Sequence, residues 1–169
     1  MPYSAAQGMA DFIWSRGLHS YWKSSFLKSF SDAAIDTILS HYAKAPSWHT
    51  VIVIEHDGDG AMDRVPAEAT AFGHRNWPYN LVVTTQWETS AERQTNVNWT
   101  KEFWVALKPF LADASYVNYI DDEGDEGIRM SYGAKLDRLV ALKTKYDPNN
   151  FFHSNQNIKP QPAAPIPAH

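Results

Sequence analysis

Residues 48–56, WHTVIVIEH, place the tightest limit on what this chain can fold into. They are β-branched and nearly continuous in apolar character, which predicts a strand covered on both faces. Such a strand needs layers of structure around it. The surrounding sequence supplies strand and helix patterns in alternation. SYWKSSFL (20–27) reads as an aromatic-rich strand with Tyr21, Lys23, Ser25 and Leu27 on one face. SDAAIDTILSHYAK reads as an amphipathic helix, with Ser31 as N-cap, Ile35, Ile38, Leu39 and Tyr42 at helical spacing, and Pro46 as its stop. After the DGDG turn, AEATAFGH and YNLVVTTQW predict two more strands, linked irregularly through Pro78.

Thr89 and Glu92 form a capping-box pattern ahead of a long helix whose Trp99, Phe103, Ala106, Leu107 and Phe110 share a face up to Pro109. ASYVNYID predicts a fifth strand, DDEGDEG a solvated acidic loop, and 132–145 a last helix carrying Leu136, Leu139, Val140 and Leu142. No glycine-rich strand-to-helix turn occurs, so a doubly wound nucleotide fold is not expected. The expected class is α+β, an antiparallel sheet of about five strands with helices packed on one face. One lobe over 1–159 precedes a proline-rich tail at 160–169.

The chain has 169 residues, 44% of them hydrophobic and 14% aromatic, which suits one globular unit with a real core. Its formal charge of −4 comes without a basic run, so neither nucleic acid nor a membrane surface is an expected partner. The absence of cysteine removes disulfides, thiolate metal sites and cysteine nucleophiles. No apolar run reaches bilayer length and the first residues lack signal-peptide character, so the expected location is cytoplasmic.

The seven histidines show no metal-ligand spacing, and no Gly-x-Ser-x-Gly occurs. Glu55 and His56 end a strand that looks buried, where ionisable groups are either functional or paired; Arg64 and Arg75 are the candidate pairing cations. In SYVNYI, strand alternation puts Tyr116, Asn118 and Ile120 on one face and Val117 and Tyr119 on the other. Tyr119 is a candidate base only beside a cation or hydrogen-bond donor, because an ordinary phenol is protonated at neutral pH. Otherwise it is a core tyrosine.

KTKYDPNNFFHSNQNI (143–158) resembles the C-terminal signature of the berberine-bridge-enzyme-like FAD-linked oxidases. Further segments resemble the family in order: PYSAAQ, YWKSSFL with SDAAID, IEH leading to GAMDRV, ATAFGHR, QWE, and SYVNYID with EGIRMSYGAKLDRL. The resemblance spans residues 2–160, with the berberine-like signature at about 115–159. It implies an antiparallel sheet backed by helices that forms the substrate side of a flavin ring. It covers only that portion: no Gly-Gly-His-type FAD attachment segment is present.

The resemblance implies Tyr119 as the catalytic tyrosine, and Glu55, Arg75 and Tyr116 as substrate-binding residues. Asn118, Asn155 and Gln156 become cofactor contacts, with Phe151 and Phe152 holding the terminal amides against the lobe. Val82 stands where some relatives carry Glu or Gln five residues before the tryptophan. The implied cofactor is FAD and the implied partners are a small-molecule substrate and a separate FAD-binding chain. The expected function is the substrate-binding, flavin-covering portion of an oxidoreductase that transfers hydride from substrate to FAD, inactive as an isolated chain. Two alternatives stay open, a subunit of a split flavoenzyme and a non-catalytic α+β module that binds a small apolar ligand. A homo-oligomer through an exposed aromatic sheet face is also expected.

Overall fold

The computed structural model describes residues 1–162 apart from Phe12, Asp57, Asp59, Asp122 and Asn155. In chain order these form α1 (Tyr3–Gln7), β1 (His19–Leu27), α2 (Asp32–Tyr42), β2 (Val51–His56), β3 (Tyr79–Trp87), α3 (Arg93–Leu107), α4 (Gly124–Tyr132) and α5 (Leu136–Tyr146). The strands make one antiparallel sheet in the order β1-β3-β2.

β3 is therefore central, and every residue of it after Tyr79 is buried. Its register sets the two faces. Trp22, Thr84 and Val51 lie in one row and Ser24, Val82 and Val53 in the next, while Asn80 stands opposite Phe26 on one side and Glu55 on the other. Residues opposite one another share a face, so these side chains form one surface of the sheet.

The other surface carries Leu27, Leu81 and Val83, which pack with Ile38 of α2 and Phe103 and Leu107 of α3 into the main core. Phe103 also stacks on His41 of α2 with ring centres 4.9 Å apart. α2 and α3 thus cover this face of the sheet. Ser31 caps α2 by accepting from Ala34 N, and the Thr89–Glu92 capping box opens the turn that leads into α3.

The helix faces differ in detail from their periodicity. α2 buries Ala34 and Ile38, whereas Leu39 and Tyr42 are exposed. Residues 132–145 do not form one helix: α4 ends at Gly133 with φ of +48°, a left-handed break suited to glycine, and α5 begins after a short 3-10 turn. The acidic segment is not a plain loop either, because Asp125 and Glu126 occupy the first turn of α4, where carboxylates favour the helix N-terminus.

Three strands are found among the described residues rather than five. AEATAFGH contains only a 3-10 turn, Ala67–Ala69, with Ala69 N bonded to Pro66 O at 3.0 Å. Its alanines and glycine give a ladder little side chain to pack. ASYVNYID instead folds into a 3-10 turn, Val117–Tyr119, and the extended pairing occurs earlier: Phe26 N donates to Ala114 O at 3.2 Å and Ala112 N to Phe26 O at 2.8 Å along the outer edge of β1. The run 51–56 is covered less than its composition implies. It is an edge strand, and Ile54 is 36% exposed. A run of β-branched residues reports apolar character but not whether a strand is central or peripheral. Among the described residues no helix is long and apolar enough to cross a membrane.

Phe103→Ala is expected to lower the unfolding free energy by about 3–5 kcal/mol, the usual cost of emptying a buried aromatic site. Urea denaturation reads this, and a change near zero would show that α3 does not carry the core.

Candidate active site

The face of the sheet away from α2 and α3 is covered by irregular segments rather than by a second regular layer. Phe26 packs there with Ala112 and Ala114, and Phe72, Trp77 and Tyr116 lean against them. Irregular cover leaves gaps, and the gaps meet at one carboxylate.

Glu55 sits one residue from the end of β2 on this face. Its Oε2 accepts from Asn80 Nδ2 at 2.8 Å, and Asn80 Oδ1 in turn accepts from Ser24 Oγ at 3.3 Å. One polar residue from each strand therefore builds a chain across the sheet. Asn80 is 1% exposed, so its amide has to be satisfied internally, and Glu55 is the partner that does so. Glu55 Oε1 accepts from Tyr119 Oη at 2.9 Å. Both carboxylate oxygens thus take neutral donors, and the terminal nitrogens of Arg75, one of the two cations proposed for pairing, bond elsewhere.

Tyr119 reaches Glu55 because its segment is a turn. Tyr119 N closes on Tyr116 O at 2.9 Å, and neighbouring bonds moor the turn: Ser115 Oγ to Ser24 O at 3.1 Å, Gln156 Nε2 to Ile120 O at 2.8 Å, and Lys23 Nζ to Glu123 Oε1 at 2.7 Å. The alternation expected for a strand would have set Tyr116 and Tyr119 on opposite faces. The turn brings them together edge to face, with ring centres 5.3 Å apart.

A cavity of about 370 Å³ is lined by Phe26, Glu55, Met62, Phe72, Tyr116 and Tyr119, among others. A larger one of about 630 Å³ runs over the sheet beneath Ile13 and Trp14, lined also by Trp22, Val53, Val82 and Asn118. Glu55 and Tyr119 line both. A third space of about 730 Å³ shares Trp22 and Asn118 with the second and reaches Tyr132 and Gln156. Burial raises the Tyr132 phenol above its ordinary value.

Of the residues proposed from sequence, Tyr119, Glu55 and Tyr116 meet at one junction. Asn118 adjoins it, donating from Nδ2 to Tyr116 Oη at 2.8 Å. Gln156 lines the third space while its amide holds Ile120 O. Asn155 lies outside the described residues. Arg75 does not line the cavities; it donates to Met62 O and Thr70 Oγ1. Val82 lines the larger cavity, so the carboxylate on this face comes from β2. Tyr119 has the Glu55 carboxylate beside it as an acceptor. Asn80 was missed, although an amide inside the apolar run of YNLVVTTQW was the available signal.

Phe151 and Phe152 do not clamp the terminal amides. They pack on each other edge to face and are 76% and 77% exposed. Their loop is built on Asp147, whose carboxylate accepts from Phe151 N at 2.7 Å, from Phe152 N at 3.0 Å and from Lys143 Nζ. The Lys143 hydrogen bond, followed by the two amides, holds the Asp147 carboxyl below its ordinary range.

Residues 115–159 match the family described as berberine and berberine like. An FAD-linked oxidoreductase of Dictyostelium discoideum is 32% identical over 161 residues, which is 95% of this chain and 35% of that protein. Berberine bridge enzyme-like C-1 of Nicotiana tabacum is 31% identical over 174 residues, 82% of this chain and 30% of that one. Among solved structures, Physcomitrella patens BBE-like 1 superposes with a TM-score of 0.72 at 26% identity, covering 84% of this chain and 31% of its own. Residues 115–159 are a berberine-like domain, and the chain as a whole is similar to one part of the berberine-bridge-enzyme-like FAD-linked oxidoreductases. Berberine bridge enzyme from Eschscholzia californica shares the fold, with a TM-score of 0.76 at 23% identity over 85% of this chain. The chain spans about a third of the length of the relatives it matches.

FAD is expected for this family, and the residues present fit only part of it. The two wider spaces, joined at Trp22 and Asn118, offer aromatic and amide groups suited to a flat polar ring. Among the described residues lining the three spaces none is Lys or Arg, the side chains that pair most directly with a diphosphate.

The lowered Asp147 pKa makes the 147–152 loop acid-sensitive. Its contribution to stability is complete above the ordinary aspartate value and is lost as pH falls through the lower folded value. The amide protons of Phe151 and Phe152 should therefore keep their hydrogen-bonded NMR shifts until below the ordinary aspartate range. Asp147→Asn should abolish that transition, and persistence of the transition in Asp147→Asn would refute the assignment.

Proposed function

We propose that this chain forms the substrate-side wall of an FAD-linked oxidoreductase, with the diphosphate end of the cofactor held by residues outside these cavities. The observation that carries this reading is the hydrogen bond from Tyr119 to Glu55 at the junction of two mainly apolar cavities. FAD, when bound, supplies the hydride-accepting ring.

The chain's own residues manage the proton. A substrate hydroxyl placed at the junction donates to Tyr119 Oη, and the phenol proton already points at Glu55 Oε1. As the substrate O–H bond breaks, Tyr119 Oη takes that proton and passes its own to Glu55. The proton thus ends on Glu55, the negative charge passes from that carboxylate to the substrate oxygen, and no phenolate has to persist. The phenol acts as a relay, and the carboxylate is the terminal base. Asn80 and Ser24 hold that carboxylate in place from the sheet. Trp22 and Asn118 would border the cofactor ring, and Phe26, Phe72 and Tyr116 would receive the apolar body of the substrate.

The partner supported by this reading is an FAD-binding portion seated over the open face, on the same or a separate chain, rather than a second copy. Light scattering of the chain alone and with an FAD-binding portion distinguishes the two.

In a flavin-loaded assembly containing this chain, Tyr119→Phe and Glu55→Gln should each slow substrate-dependent flavin reduction by about 10²–10⁴-fold, the usual span for a proton-transfer group. Stopped-flow absorbance of the flavin reads it directly. Rates unchanged in both variants would remove the relay, and with it the oxidoreductase assignment of this junction.

A further inference from the structure

We infer that Arg75 is a positioning residue that sets the shape of the smaller cavity, and so decides which substrate bodies fit beside Glu55 and Tyr119; this rests on the reading of that junction as a substrate site. The wall in question lies on the segment between β2 and β3, where the described residues hold one 3-10 turn and no strand. A ladder therefore does not define its shape. Side-chain bonds have to.

Arg75 supplies them from behind the wall. Nη1 donates to Met62 O at 3.1 Å and Nη2 to Thr70 Oγ1 at 2.7 Å. Thr70 Oγ1 then donates to Phe72 O at 3.1 Å, and the guanidinium carbon lies 5.4 Å from the centre of the Phe72 ring. One planar group thus ties residues 62, 70 and 72 together. Two of these, Met62 and Phe72, line the smaller cavity, whereas Arg75 does not. Phe72 in turn meets Tyr116 edge to face, with centres 6.0 Å apart, and Phe26 at 6.5 Å. Moving Phe72 reshapes the cavity next to Tyr116 without touching Tyr119.

Arginine suits this position for two reasons. Its fixed fork serves two acceptors while its plane lies against an aromatic ring, and an ammonium cannot do both. The guanidinium Nε, however, is shielded from solvent with no hydrogen-bond partner among the described residues. That orphaned donor costs stability, so removing Arg75 loses two bonds and also relieves a penalty. The arrangement favours geometry over stability, which separates a positioning role from a merely structural one.

The test uses the chain itself, without flavin. With methionine methyls labelled with ¹³C, benzyl alcohol is titrated as an uncharged aromatic probe. The Met62 methyl, assigned by Met62→Leu, reports the smaller cavity, and the Trp22 indole N–H reports the larger. Arg75→Gln should weaken binding seen at Met62 by about tenfold, the order of one hydrogen bond to a charged group. Binding seen at Trp22 should stay within about twofold, as for an independent site. Arg75→Lys should fail to restore the Met62 response, and the milder Thr70→Val should shift it in the same direction with the chain still folded.

An unchanged Met62 affinity in Arg75→Gln, equal losses at both reporters, rescue by lysine, or no saturable Met62 response in the unaltered chain would each overturn the inference. Because no flavin is present, these outcomes are independent of whether Tyr119→Phe slows flavin reduction.

Discussion

The structure depends on a strand that is buried on both faces. β3 lies between β1 and β2 and exposes almost none of its side chains, so the chain has to provide a layer on each side of it. On one side α2 and α3 do this with close apolar packing. On the other the cover comes from turns and extended segments, which cannot fill space as helices do, and the cavities are the consequence. Core and site are therefore opposite surfaces of the same nine residues.

The polar chain across the open face follows from that burial. An amide at position 80 in a central strand requires partners, and the register places Glu55 directly opposite it. The bond that satisfies Asn80 also orients Glu55 towards Tyr119. A structural requirement of the sheet and the placement of the Glu55 carboxylate are thus one interaction. The mooring of the 115–121 segment to β1 and to Gln156 does the same for the phenol, which explains why residues from the berberine-like signature and from the sheet converge on one point.

Much of the fold was legible in the sequence: the span of β1, β3 and α3, the Ser31 cap, the Thr89–Glu92 box and the mixture of helices with an antiparallel sheet. These rest on local patterns, and local patterns survive folding. The errors fell where tertiary contacts overrode them. AEATAFGH alternates like a strand but is held by side-chain bonds from Arg75, and ASYVNYID lost its ladder because residues 110–114 had already paired with the edge of β1. Leu39 and Tyr42 share a helical stripe with Ile38 yet remain outside the core, where α2 buries only Ala34 and Ile38.

The sequence by itself carried the resemblance to the berberine-like family, the mixed α+β class and the residue types of the candidate site, because side-chain chemistry and short-range spacing are written in it directly. Tertiary structure alone decided what those residues do to one another. Whether Glu55 meets Arg75 or Tyr119, whether Tyr116 and Tyr119 share a face, and which groups Arg75 bonds depend on turns and on contacts reaching as far as the 64 residues between Glu55 and Tyr119, for which local periodicity carries no signal.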